Sequence, residues 1–222
     1  MKVLKILIAI SLAAAAAAFA ADYVVERAPA GPAQPPLPEK DAIVELRWDT
    51  GTRAYLMCFY TGAGTWLVND FDLSQIPDYT RVTRLLVYSS PTWPNAQWDG
   101  FRIGLYGFAG GVPTSLLWGP KFVKPSLTAA GWANLSVAWT LPPSQTRFAA
   151  GLEQYYNYPA CDPHAIDNNR TFRQHSWLYY GGSWGPYTNS TGYYNLMIRV
   201  RVSNAYVGLM PSSIGRVKAL YH

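Results

Sequence analysis

Along "DGFRIGLYGF", Phe101, Ile103 and Leu105 fall on one side of an extended chain while Arg102, Gly104 and Tyr106 fall on the other. Successive side chains of a strand point to opposite faces, so a period of two predicts a strand with one face in a core. The same period returns in "WANLSVAWTL", where Ala133, Leu135, Val137, Trp139 and Leu141 oppose Asn134, Ser136, Ala138 and Thr140. It returns again in "RFAAGLEQ", with Phe148, Ala150 and Leu152 on one face, and near the end, where Leu196, Ile198, Val200 and Val202 alternate with Asn195, Met197, Arg199 and Arg201. Further strands are predicted over Ile43 to Trp48, Ala54 to Tyr60, Gly64 to Val68, Val82 to Ser89 and Gln174 to Tyr180. Before residue 210 no segment beyond the N-terminal apolar run keeps the i, i+3, i+4, i+7 pattern of a helix long enough to predict one. About eight or nine short strands separated by Gly, Pro and Asn predict an all-β fold, an antiparallel β-sandwich of jelly-roll type.

The two ends depart from this pattern. "MKVLKILIAISLAAAAAAFAADY" places Lys2 and Lys5 before an apolar run that closes on Ala18-Phe19-Ala20. A basic start, an apolar stretch shorter than the ~20 residues of a membrane span and a small-x-small ending predict an export signal over residues 1–20. The competing reading is a retained anchor. Residues 21–41 hold Pro29, Pro32, Pro35, Pro36 and Pro38, which favour extended polyproline conformations and predict a lead or linker. The sandwich is then expected over 42–205. In the terminal "PSSIGRVKALYH", Ile214, Val217 and Tyr221 fit a helical stripe, whereas Val217, Ala219 and Tyr221 fit an edge strand. Either face predicts that residues 206–222 dock on the sandwich.

Charge narrows the partners. Loss of Lys2 and Lys5 with the signal reduces 18 basic residues to 16 against 13 acidic ones, a formal charge of +3. The basic residues are mostly Arg, scattered singly without a clustered phosphate-binding face, so nucleic acid is not an expected partner. No second apolar segment predicts a membrane span once the signal is removed. Export makes a disulfide between Cys58 and Cys161 a natural expectation, with two buried free thiols as the alternative.

Aromatic loops supply the candidate ligand site. "PTWPNAQWDG" carries Trp93, Asn95 and Trp98, and "YYGGSWGPYTNSTGYY" carries Trp184, Tyr187 and Asn189. A flat ring with amides nearby suits a sugar, whose apolar face stacks while its hydroxyls bond. Sandwich ends also use Trp and Tyr simply to cover the core. Trp93 and Trp184 stand between Gly or Pro residues and are the strongest candidates for exposure. The loop "CDPHAIDNN" gathers Asp162, Asp167 and Asn168, an oxygen-rich set compatible with structural calcium but also with ordinary turn formation. No other cofactor is indicated.

No enzyme signature stands out. Of four Glu, Glu26, Glu39 and Glu45 lie in or beside the proline-rich lead, and Glu153 alone sits on a core strand. A glycosidase needs two opposed carboxylates. The sequence also lacks a G-x-S-x-G elbow, an H-E-x-x-H pair and a phosphate loop. A non-catalytic protein is expected.

The segments "RWDTGT", "GFRIGLYGFAGGVPTSLLWGP", "FAAGLEQ", "SWLYYGGSWGPY" and "GRVKALYH" resemble, in that order, a jelly-roll β-sandwich accessory module of large exported bacterial proteins, including cell-surface and type IX secretion cargo. Asp49 and Gly51 match the module's Asp-Gly-Thr segment, with Thr50 where a second Asp is common. The resemblance implies a secreted or cell-surface module that binds a polysaccharide or another surface component, or itself or other modules. The alternative is a structural, assembly or adhesion protein of the envelope without a small ligand.

Overall fold

The computed structural model describes residues 23–27, 43–93, 99–167, 174–189 and 192–203. The export signal, the proline-rich run and the C-terminal segment all lie outside these residues. In chain order the strands are β1 (Tyr23–Arg27), β2 (Ile43–Leu46), β3 (Tyr55–Phe59), β4 (Thr65–Asp72), β5 (Arg81–Ser89) and β6 (Phe101–Ala109). They continue with β7 (Val112–Val123), β8 (Gly131–Thr140), β9 (Arg147–Gln154), β10 (His164–Asp167) and β11 (Ser176–Tyr180). The last are β12 (Ser183–Pro186), β13 (Thr188–Asn189), β14 (Gly192–Tyr193), β15 (Asn195–Leu196) and β16 (Ile198–Ser203). Among the described residues there is no helix, and therefore none long and apolar enough to cross a membrane.

The fold is an all-β antiparallel sandwich. One layer is a six-stranded sheet in the order β12-β11-β4-β9-β6-β7; facing it are two four-stranded sheets, β2-β16-β5-β8 and β1-β3-β10-β15. Strands β13 and β14 form a small separate ladder. The main core lies between the layers. Leu67 and Phe71 of β4, Phe101, Ile103 and Leu105 of β6, and Phe148, Ala150 and Leu152 of β9 meet Val82, Leu85 and Val87 of β5 and Ile198, Val200 and Val202 of β16. The alternation read in β6, β8, β9 and β16 selects these inward residues correctly, because each strand buries one face against the opposite layer.

The stretches read as loops, "CDPHAIDNN" and "YYGGSWGPYTNSTGYY", contain strands β10 and β12 to β14, and three further elements differ from the sequence reading. Residues 21–41, expected to be a lead, contain β1, which pairs in register with β3 from Tyr23↔Phe59 to Arg27↔Tyr55. Strand β7, which contains Pro113, Gly119 and Pro120, is not among the strands predicted. It lies at the edge of its sheet, where a missing N–H breaks no ladder bond. Strand β4 runs on past Val68 through Asn69, Asp70 and Phe71, and both polar residues are buried.

Asn69 explains that extension. Its Nδ2 donates to the carbonyls of Leu196 (2.9 Å) and Ile198 (3.0 Å), and its Oδ1 accepts from the Ser176 hydroxyl (2.7 Å). One buried amide thus joins the two layers with its hydrogen bonds satisfied. Arg199 and Arg201, which alternate with the core residues of β16, meet carboxylates. Arg199 donates to Asp49 through Nε (3.0 Å to Oδ2) and Nη2 (2.5 Å to Oδ1), and to Glu45 through Nη1 (3.1 Å). Arg201 Nε donates to the other Glu45 oxygen at 3.0 Å.

Candidate functional site

The outer face of the six-stranded sheet should be polar if it merely met water. Instead it carries a second apolar cluster, separate from the main core: Trp66 and Val68 of β4, Tyr106 and Phe108 of β6, Ala149 of β9 and Trp177 of β11, with Tyr179 and Trp184 against them. Register aligns part of it in one row. Trp184 pairs with Tyr179, Tyr179 with Trp66, Trp66 with Glu153, Glu153 with Arg102, and Arg102 with Phe122, so the row crosses all six strands.

The sheet must curl to make the observed contacts. Strands β12 and β6 are four steps apart, about 19 Å in a flat sheet at ~4.8 Å per step. Yet the rings of Trp184 and Tyr106 meet edge to face with centroids 5.1 Å apart, and β12 approaches β7. Tyr106 in turn meets the edge of Trp66 at 5.1 Å, and Trp184 meets Tyr179 at 5.2 Å. These are favourable geometries for aromatic quadrupoles. Small residues make room: a Cβ on Gly104 would stand 3.0 Å from the Trp66 indole and 3.1 Å from Leu116. The two-residue turn Gly181-Gly182, with φ of +61° and +90°, closes the hairpin that presents Trp184.

The polar part of the row adjoins these rings. Arg102 Nη1 lies 3.4 Å from Glu153 Oε2, its Nη2 donates to the Tyr155 hydroxyl at 3.3 Å, and its guanidinium stacks 4.3 Å from the Tyr155 ring centre. Burial raises the Glu153 carboxyl above its ordinary range, against the opposing pull of Arg102. Burial likewise pushes the Tyr106 phenol well up, with Glu153 and Tyr179 acting in the same sense. Beyond Arg102 the rings become accessible. Phe122 is 45% exposed and Tyr156 37%, both edge-on to Tyr155 at 5.3 and 4.8 Å. The trough is therefore packed with rings at one end and opens at the other onto an aromatic shelf beside an Arg–Glu pair. Such a surface stacks a flat apolar face and bonds hydroxyls.

The residues singled out from sequence do not gather in one place. Trp184 belongs to the trough. Trp93, half-buried, packs with Tyr88 and Trp132 around Leu56, Ala165 and Met197, on the side of the molecule away from the six-stranded sheet. Tyr187, expected at the surface, is 4% exposed, and its hydroxyl meets His164 Nε2 at 2.9 Å and Met57 Sδ at 3.3 Å. A phenol satisfies its apolar body and its polar tip together there, inside the main core. Asn95, Trp98, Asn168 and the side chain of Asn189 lie outside the described residues.

Asp162 and Asp167 are both buried, and Asp167 accepts from the Thr50 amide at 2.6 Å. Among the described residues no three His, Cys, Asp or Glu converge on a point that could hold a metal ion. Burial pushes the Asp162 carboxyl up to about 7, although the amides of Gly100 and Asp99 act against it. Cys58 and Cys161 are buried free thiols in this structure, the Cys58 Sγ 3.9 Å from the Cys161 carbonyl.

Trp66, Tyr106, Tyr179, Glu153 and Arg102 were missed as a site. Each lies in a segment read as a strand, and the only available signal was a ring or charge at an outward position of those strands.

No family model and no curated protein sequence matches the chain. Its fold is similar to that of a solved structure containing the cysteine protease and lectin-like domains of Cwp84, a surface layer associated protein of Clostridium difficile. The TM-score is 0.56 at 10% identity, over 74% of this chain and 36% of that one, so the chain spans about a third of the protein it matches. That likeness is one of β fold.

Proposed function

We propose that this chain is an exported, non-catalytic jelly-roll module of the cell surface that binds carbohydrate in the trough of its six-stranded sheet. The observation that carries the reading is the single row Trp184, Tyr179, Trp66, Glu153, Arg102, Phe122, which sets stacking rings beside a charged pair that can bond hydroxyls. The fold it shares with part of a surface-layer-associated protein that includes a lectin-like domain supports the same reading. The buried carboxylates of this face support a non-catalytic role. Glu153 is held by Arg102, and Asp70 by Arg147 (2.7 Å) and His175 (2.6 Å), which leaves no opposed pair free for acid and base among the described residues of this face.

The test is retention of the purified protein on a panel of insoluble and immobilised bacterial polysaccharides, with Trp184→Ala and Arg102→Ala beside the wild type. Retention of the wild type by at least one polysaccharide, weakened about tenfold in each variant with unchanged circular dichroism, is expected. Wild-type retention that both folded variants keep in full would assign binding elsewhere and sink the trough.

A second reading is favoured by one observation. Val112, Leu116 and Phe122 expose apolar side chains along the edge strand β7, as an assembly or adhesion protein would where it meets a neighbouring copy. Light scattering separates the two: concentration-dependent association that Phe122→Ser abolishes, without any polysaccharide retention, would establish assembly.

A further inference from the structure

On the opposite side of the molecule two guanidiniums flank one aromatic pair. Tyr88 of β5 and Trp132 of β8 are cross-strand partners, with rings edge to face at 5.4 Å. Arg199 stacks over Trp132 at 4.0 Å, and Arg53 lies over Tyr88 at 5.5 Å. Their surroundings differ in one respect. Arg199, fully buried, is neutralised by Asp49 and Glu45. Arg53 is only 9% exposed, yet among the described residues no carboxylate and no hydrogen-bond acceptor meets it, and its Nε is buried without a partner. A buried guanidinium nitrogen without an acceptor is destabilising, and a cation–π contact at that distance offsets only part of that cost. Among the described residues the fold gives four charge-assisted hydrogen bonds to one arginine of the pair and none to the other.

We infer that Arg53 is the anchor of a second binding site, which takes the carboxylate of an acidic sugar. A guanidinium matches a carboxylate as a planar, two-pronged partner, which suits a narrow position beside stacked rings. Trp93 and Trp132, both half-buried in the same cluster, offer faces on which the pyranose ring rests. This site is independent of the trough. It gives the module a preference for uronic-acid polymers that a neutral stacking surface alone does not confer.

The experiment uses the full chain, with sodium galacturonate as probe and galactose and sodium sulfate at matched ionic strength as comparisons. Tryptophan fluorescence and melting temperature are the two readouts. Galacturonate is expected to shift both while galactose and sulfate do not, and Arg53→Gln to weaken the response at least about tenfold. Arg53→Lys, which keeps the charge but loses the fork, is expected to weaken it similarly, and Trp184→Ala to leave it intact. Without ligand, Arg53→Gln should melt no lower than the wild type, because it removes an unpaired charge; a purely structural arginine would lower it. Equal responses to galacturonate and galactose, a larger response to sulfate, or a galacturonate response that survives in both Arg53 variants would each overturn the site.

Discussion

Two buried titratable groups, Asp162 and His164, sit two residues apart around the start of β10 and pull stability in opposite directions with pH. Asp162 is raised to about 7 by burial, so between its unfolded value near 3.9 and pH 7 the folded state keeps a proton that the unfolded chain has released. Stability therefore falls as pH rises through that window. His164 is lowered by burial to about 3, so below its unfolded value near 6.5 the unfolded chain binds a proton that the folded state refuses, and stability falls as pH drops. The windows overlap from about pH 4 to 6.5, where two slopes of about 1.4 kcal/mol per pH unit oppose one another. Single substitutions uncover them. Relative to wild type, Asp162→Asn should lose about 2–3 kcal/mol between pH 6.5 and 4.5, and His164→Gln should gain a similar amount. Urea unfolding of the three proteins at both pH values measures this; parallel stability in all three would show that neither group titrates across folding. Glu153, also raised, adds to the Asp162 sense but is common to all three proteins and cancels in the comparison.

At the scale of elements, local pattern reads well and pairing does not. The inward faces of β6, β8, β9 and β16 follow from a period of two, because burial against the facing layer acts on each strand alone. The trough was illegible because Trp66, Tyr106, Tyr179 and Trp184 sit on four strands brought together only by strand order and curl. Asn69 was passed over for a related reason, since its partners Leu196 and Ile198 lie more than a hundred residues away. Cys58 and Cys161 show what pairing adds. Cys58 is on β3, Cys161 precedes β10, and β3 pairs with β10, so the fold sets the two thiols side by side. Burial raises the Cys58 thiol well above its ordinary range, which withholds the thiolate that disulfide exchange requires. The folded, reduced protein should therefore resist oxidised glutathione. Refolding from denaturant in its presence should join the thiols, each bond consuming one glutathione disulfide and releasing two glutathione thiols. The refolded protein, unfolded again and treated with maleimide, should then carry no label; two labels would show that the pair never bonds.

The whole molecule sets the length of ligand that the trough can use. Its closed end is filled by Trp66, Tyr106 and Trp184, and its open end runs from Arg102 along Tyr155 to the accessible rings of Phe122 and Tyr156. Because Phe122 and Tyr156 are exposed and belong to neither buried cluster, they can change without loosening the sandwich. A sugar unit at Arg102 and Glu153 leaves the shelf free for the units that follow it in a chain. A short oligosaccharide should then depend on the Arg–Glu pair and the rings that close the trough behind it, and a longer one should gain from each shelf ring it reaches. Replacing Phe122 and Tyr156 together by Ser should leave the affinity for a disaccharide within about twofold, and weaken that for a hexasaccharide at least about fivefold, at ~0.5–1.5 kcal/mol for each of the two stacking contacts. Calorimetric titration of both oligosaccharides, cut from whichever polysaccharide retains the wild type, reads the ratio directly. Equal losses for the two lengths would mean that the shelf supports the fold of the trough, and the ligand would then end at Arg102.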